Sequence, residues 1–78
     1  MTLTVISSHS ILFSGEAESV TLPGVQGSFT VLKNHAPLIS VLVPGKVVCR
    51  MNDGENKDID IKGGLVDVVD NKISVCVY

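Results

Sequence analysis

Pairs of turn-forming residues interrupt this chain so often that no stretch between them suits an ordinary globular helix. Ser14-Gly15, Pro23-Gly24, Pro44-Gly45, Asp53-Gly54, Gly63-Gly64 and Asp70-Asn71 recur at roughly the eight-to-twelve-residue spacing of an all-β sandwich or barrel. Between them the apolar residues follow the two-residue period of strands with one face buried. Leu3 and Val5 alternate with Thr2 and Thr4. Val20 pairs in phase with Leu22, Val47 with Cys49 and Met51, Ile59 with Ile61, and Ile73 with Val75 and Val77. The expected strands are Thr2 to Ile6, Ile11 to Phe13, Ser19 to Leu22, Phe29 to Leu32, Leu38 to Val43, Lys46 to Met51, Lys57 to Lys62, Leu65 to Val69 and Ile73 to Val77. Ser14-Gly15 is read as ending the second of these, and Pro23-Gly24 as the turn after the third. No segment carries the 3.6-residue apolar period of an amphipathic helix.

The segment from Gly27 to Gly45 anchors this pattern. Two short apolar runs, Phe29 to Leu32 and Leu38 to Val43, are separated by Lys33-Asn34-His35-Ala36-Pro37. Pro37 fixes its own φ and pushes Ala36 toward an extended conformation, so Asn34 and His35 stand at a tip and the next strand begins at Leu38.

The 78 residues read as one domain. A chain this short buries only about 60 to 65% of its unfolded surface on folding, so a partner surface would help it. Its composition, 45% hydrophobic and 18% charged, is rich in apolar residues for so small a body and points to an interface. The formal net charge of −2 leaves no basic face for phosphates, which argues against nucleic acid. No run is long enough to span a bilayer, and the start MTLTVISSHS lacks the basic and long apolar regions of a signal peptide. A soluble protein that stays where it is made is expected. Cys49 and Cys76 stand far apart, too few for structural zinc, and read as half-buried strand thiols of a reducing compartment.

Candidate chemistry is sparse. His9 and His35 have no nucleophile and orienting acid in pattern beside them. Asp58 and Asp60 share a strand face, yet Lys57 and Lys62 flank them, as on a solvated face. Pro44-Gly45-Lys46 lacks the spaced glycine and the Ser or Thr of a phosphate loop, since Ser40 and Val47 occupy those positions. Gly63-Gly64 precedes a strand, not a helix whose N-terminus could hold an anion. No catalytic residue, cofactor, metal or small-molecule substrate is expected. Binding through the polar tips Val25-Gln26-Gly27-Ser28 and Lys33-Asn34-His35 remains.

Phe13-Ser14-Gly15, His35-Ala36-Pro37-Leu38 after a Gly-led strand, Pro44-Gly45, and Gly63-Gly64 before Leu65-Val66-Asp67-Val68 together resemble the epsilon subunit of F-type ATP synthases, over the whole of this chain but only that family's N-terminal β domain. The resemblance implies a small antiparallel β-sandwich or flattened barrel of about eight to ten strands. It implies a non-catalytic rotor subunit of the F1 central stalk, linking the gamma subunit to the c-ring so that ion-driven rotation is coupled to ATP synthesis. It also implies a peripheral position, through the complex, on the cytoplasmic face of the bacterial inner membrane. By the same resemblance Gln26, Gly27 and Ser28 fall at the c-ring contact, and Ser7, His35 and Ser40 near the gamma contact. Family members often carry glutamates where Gln26 and Ser28 stand, so negative charge is missing there. Many members continue into a C-terminal helical hairpin that can oppose ATP hydrolysis. With Tyr78 following the last strand, a subunit that couples rotation without that brake is expected. The alternative reading is a free-standing β-sandwich adaptor that binds a protein or carbohydrate through its loops.

Overall fold

A computed structural model, describing all 78 residues, contains eight strands and no helix. They are β1 (Thr2–Ile6), β2 (Ile11–Gly24), β3 (Gly27–Leu32), β4 (Leu38–Leu42), β5 (Gly45–Met51), β6 (Asn56–Ile61), β7 (Gly64–Val69) and β8 (Lys72–Val77). The order β1-β8-β7-β4-β2-β5-β6 is closed by a β1–β2 pairing, and β3 is attached to β2 alone. The result is a sandwich-like closed sheet. One layer is β1-β8-β7-β4, the other β3-β2-β5-β6. Every pairing is antiparallel except one, because β1 runs parallel to β8.

The two layers share β2, and here the sequence reading needs correction. Ser14-Gly15 does not end a strand, since β2 runs unbroken for 14 residues. Ser14 and Gly15 lie in register with Thr4 and Leu3 of β1. Gly15 serves close approach instead: a Cβ there would stand 3.0 Å from Met51 Cε and 3.2 Å from the Phe13 ring. The first part of β2 pairs with β1, and from Ala17 onward, across an irregularity between Ala17 and Ser19, it pairs with β5 and then also with β3. That switch carries the strand from one layer to the other.

Pro23-Gly24 is likewise strand, and the reversal falls one step later at Val25-Gln26. Proline is tolerated because it sits opposite Ser28 in the class of pair that exchanges no ladder hydrogen bond. The tip before β4 is where it is expected. His35 N–H donates to the Leu32 carbonyl at 3.1 Å, Asn34 takes φ 63°, and β4 begins at Leu38. Asp70 and Asn71, at φ 49° and 64°, form the two-residue turn between β7 and β8, as that handedness requires.

Fourteen buried side chains form one core, half from each layer: Leu3, Val5, Leu42, Val66, Val68, Ile73 and Val75 face Ala17, Val20, Leu22, Val31, Val47, Cys49 and Ile61. No polar or charged residue is buried. The two thiols, expected to be alike, differ: Cys49 is buried and Cys76 exposed. Cys76 alternates with Ile73, Val75 and Val77, so its side chain leaves the core face of β8.

Candidate functional site

The possible catalytic groups are scattered. His9 lies exposed in the turn between β1 and β2. His35 is exposed and its Nδ1 donates to the adjoining Ala36 carbonyl at 2.7 Å. Asp58 and Asp60 are exposed on β6, with Asp60 directly across from Lys46. No three His, Cys, Asp or Glu side chains gather at one place. The one strongly shifted titration belongs to Cys49, whose thiol is pushed up to about 11 by burial and, secondarily, by the negative charge of Asp58.

What the fold does assemble is a groove of about 590 Å³ between the β2–β3 turn and β4. Gln26, Gly27, Ser28 and Ser40 line it together with Val25, Phe29 and Ile39. Two hydrogen bonds clamp the turn against β4: Val25 N–H donates to the Val41 carbonyl at 3.0 Å, and Val43 N–H to the Pro23 carbonyl at 2.9 Å. So Ser40 shares a wall with Gln26–Ser28. Ser7 and His35 do not join them. Strand pairings link Gly24 to Leu42, Leu42 to Gly64, Gly64 to Val77, and Cys76 to Ile6. Ser7, just after Ile6, therefore lies at the same end of the sandwich as the Val25–Gln26 turn. His35 lies at the other end, where Asn34 N–H donates to Asn71 Oδ1 at 2.8 Å.

A second surface escapes the reading of loops. Ile6, Cys76, Leu65 and Val41 stand in strict cross-strand register on β1, β8, β7 and β4. Residues opposed in this way point to one face, and their neighbours Val5, Val75, Val66 and Leu42 are buried, so this row faces outward. Ile11, 67% exposed, extends the row where it pairs with Ile6 across a bulge. Leu65 and Val41 are about half exposed, and Ile39, two residues before Val41 on the same face of β4, is 72% exposed. The outer face of this layer thus carries an apolar stripe that runs to the rim of the groove. Its signal was present in Leu38 to Val43 and Leu65 to Val69, which carry apolar residues at consecutive positions, the mark of strands covered on both sides.

The whole chain, residues 1–78, matches the family model described as ATP synthase, Delta/Epsilon chain, beta-sandwich domain. Similar proteins include the ATP synthase epsilon chain of Leptospira borgpetersenii serovar Hardjo-bovis, 41% identical over 76 residues, covering 96% of this chain and 58% of that one. The ATP synthase epsilon chain of Chlorobaculum tepidum is 42% identical over 71 residues, covering 91% of this chain and 81% of that one. The chain thus spans a little over half the length of the Leptospira relative. Among solved structures, the fold resembles a chain of the Euglena gracilis mitochondrial ATP synthase, OSCP/F1/c-ring in rotational state 1 (TM-score 0.89, 22% identity, 96% of this chain and 48% of that one). It also resembles a chain of the Tetrahymena thermophila mitochondrial ATP synthase central stalk/c-ring (TM-score 0.85, 20% identity, 100% of this chain and 63% of that one).

Proposed function

The chain belongs to the ATP synthase delta/epsilon-chain β-sandwich family, and on that premise we propose that its 78 residues are a single β domain of a non-catalytic rotor subunit, linking the gamma subunit to the c-ring so that ion-driven rotation is coupled to ATP synthesis. In this reading it is peripheral to the cytoplasmic face of the inner membrane through the complex, and it carries no catalytic site, cofactor or metal of its own. The observation that carries the reading is the apolar stripe of Ile11, Ile6, Cys76, Leu65 and Val41. A monomer with so small a core gains by covering such a face, and an interface centre depleted of charge is what a partner subunit requires. We assign the stripe to gamma, with Ser7 and Ser40 at its margins. The Gln26–Ser28 turn, at one end of the sandwich, is assigned to the c-ring. His35, at the far end, is assigned to gamma along the same side.

The test is thermal. Gamma at 100-fold over its dissociation constant should stabilise the native chain by about 2.7 kcal/mol, a rise in Tm on the order of 10–20 °C for a domain of this size. Attaching a bulky maleimide to Cys76, in the middle of the stripe, should remove most of that rise. An unchanged Tm with excess gamma would remove the stalk assignment and favour an adaptor for some other ligand. A full rise after modification would remove the stripe from the interface.

A further inference from the structure

We propose that the outer edge of β3 is a strand-addition site, at which the gamma subunit contributes an extended, uncharged segment that pairs with the main chain of Ser28 to Leu32 and leaves the side chains of Gln26 and Ser28, which stand off the sheet face, to the c-ring. The proposal rests on the stalk reading above and adds the mode of attachment.

Pro23 orients this edge. Having no N–H, it cannot form a hydrogen-bonded ladder pair with Ser28, so the bonded pairs of the β2–β3 ladder are Gly24–Gly27, Leu22–Phe29 and Val20–Val31. The main-chain groups of Ser28, Thr30 and Leu32 therefore point away from β2, and β3 has no other neighbour. Of these groups only the Leu32 carbonyl has a partner, the His35 N–H. The amides of Ser28, Thr30 and Leu32 and the carbonyls of Ser28 and Thr30 form an open row with strand spacing.

Open edges invite pairing, and proteins usually guard them with charge, proline or brevity. The other edges here are guarded. β6 carries Lys57, Asp58 and Asp60 with Lys62 beyond it, and β4 is short and begins after Pro37. β3, Gly-Ser-Phe-Thr-Val-Leu, is the longest free edge without charge or proline, the nearest charge being Lys33 in the turn beyond it. Beside its first residues, Gly27 to Phe29, opens the groove, whose far wall includes the apolar pair Ile39 and Val41 of β4. Because the Val41 carbonyl turns toward the β2–β3 turn, alternation turns the N–H and carbonyl of Ile39 toward the groove as well. An extended segment lying there would find ladder partners on β3 and apolar contacts on Val25, Phe29 and Ile39. Specificity would come from alternate side chains, as in other strand-addition sites. The groove is continuous at Val41 with the stripe assigned to gamma, so one partner can cover the face and hook a strand over β4.

Hydrogen exchange tests the proposal on the unsubstituted protein. In the complex with gamma, the amides of Ser28 and Thr30 should exchange at least about 100-fold more slowly than in the chain alone. Thr30→Pro removes an outward N–H while sparing the β2–β3 bonds, and should weaken gamma binding at least about tenfold. Thr30→Val keeps the N–H and loses only the hydroxyl contact to Thr21, 2.9 Å in the native chain, so its affinity should change less than about threefold. Gamma binding without new protection at Ser28 and Thr30 overturns the strand addition and leaves the stalk assignment standing. Absence of gamma binding overturns both. Should Thr30→Pro fail to fold, the exchange measurement alone decides.

Discussion

At the scale of single residues, the two thiols make the sharpest contrast. Cys49 is buried with its thiol pushed up to about 11, whereas Cys76 stands on the outer face. Since thiolate is the reactive form, a maleimide at pH 7.5 should label one thiol per native chain, at Cys76, and a second only on unfolding, as mass spectrometry of the digest would reveal. Label at Cys49 in the folded chain would mean that the core opens. The same shift has a pH consequence. The unfolded thiol ionises near 9.0 and the folded one near 11, so the native state holds more protons between those values. This contribution to stability is full below pH 9 and declines as pH rises toward 11, visible as a fall in the urea midpoint. The glycines separate as cleanly. A Cβ on Gly64 would overlap the Cys76 carbonyl oxygen, which is backbone, while one on Gly15 would meet the movable end of Met51. Gly64→Ala should cost about 3 kcal/mol or more in urea unfolding and Gly15→Ala under about 1 kcal/mol.

Among elements, turns and alternation were legible because they are local. The Asp53-Gly54 loop, the tip before Leu38 and the Asp70-Asn71 turn all lie where their residue types require. Ser14-Gly15 and Pro23-Gly24 misled because a glycine that makes room for Met51 and a proline in a non-bonded pair look, in sequence, like turn residues. Only the register, a long-range property, tells them apart. The same holds for the candidate site: Gln26, Ser28 and Ser40 could be named from sequence, but that they share a groove, and that Ile6, Cys76, Leu65 and Val41 line up, depends on strand order. The Asn71 turn offers a measurable case. Asn71 holds φ 64° and also accepts the Asn34 N–H. Asn71→Gly keeps the backbone and loses the bond, at a cost of about 0.5–1 kcal/mol, whereas Asn71→Ala adds about 1–2 kcal/mol of left-handed strain. Equal urea midpoints for the two variants would show that the turn's handedness does not matter here.

For the molecule as a whole, the proposed assignments make a geometric prediction. The Val25–Gln26 turn terminates the β2–β3 hairpin at one end of the sandwich. Asp58 lies on β6, at the opposite edge of the layer β3-β2-β5-β6. Leu65 lies on the outer face of the other layer, within the stripe. A rigid body with its end on the c-ring and its apolar face on gamma must therefore report two different neighbours and one free edge. Single cysteines at these sites, placed in a Cys76→Ser background because Cys49 is buried, should cross-link distinctly in the assembled enzyme: Gln26→Cys and Ser28→Cys to the c subunit, Leu65→Cys to gamma, and Asp58→Cys to neither. None of the four side chains supports the core, so the variants should fold like the parent. The neutral side chains of Gln26 and Ser28 make a prediction about salt. Contact with the ring through neutral groups is screened little, and the c-subunit cross-links should persist at 0.5 M salt, where a charge-held contact would weaken. Cross-links from Asp58→Cys to the c subunit, with none from Ser28→Cys, would mean that the sandwich stands on its charged edge instead, and both surface assignments would have to be exchanged.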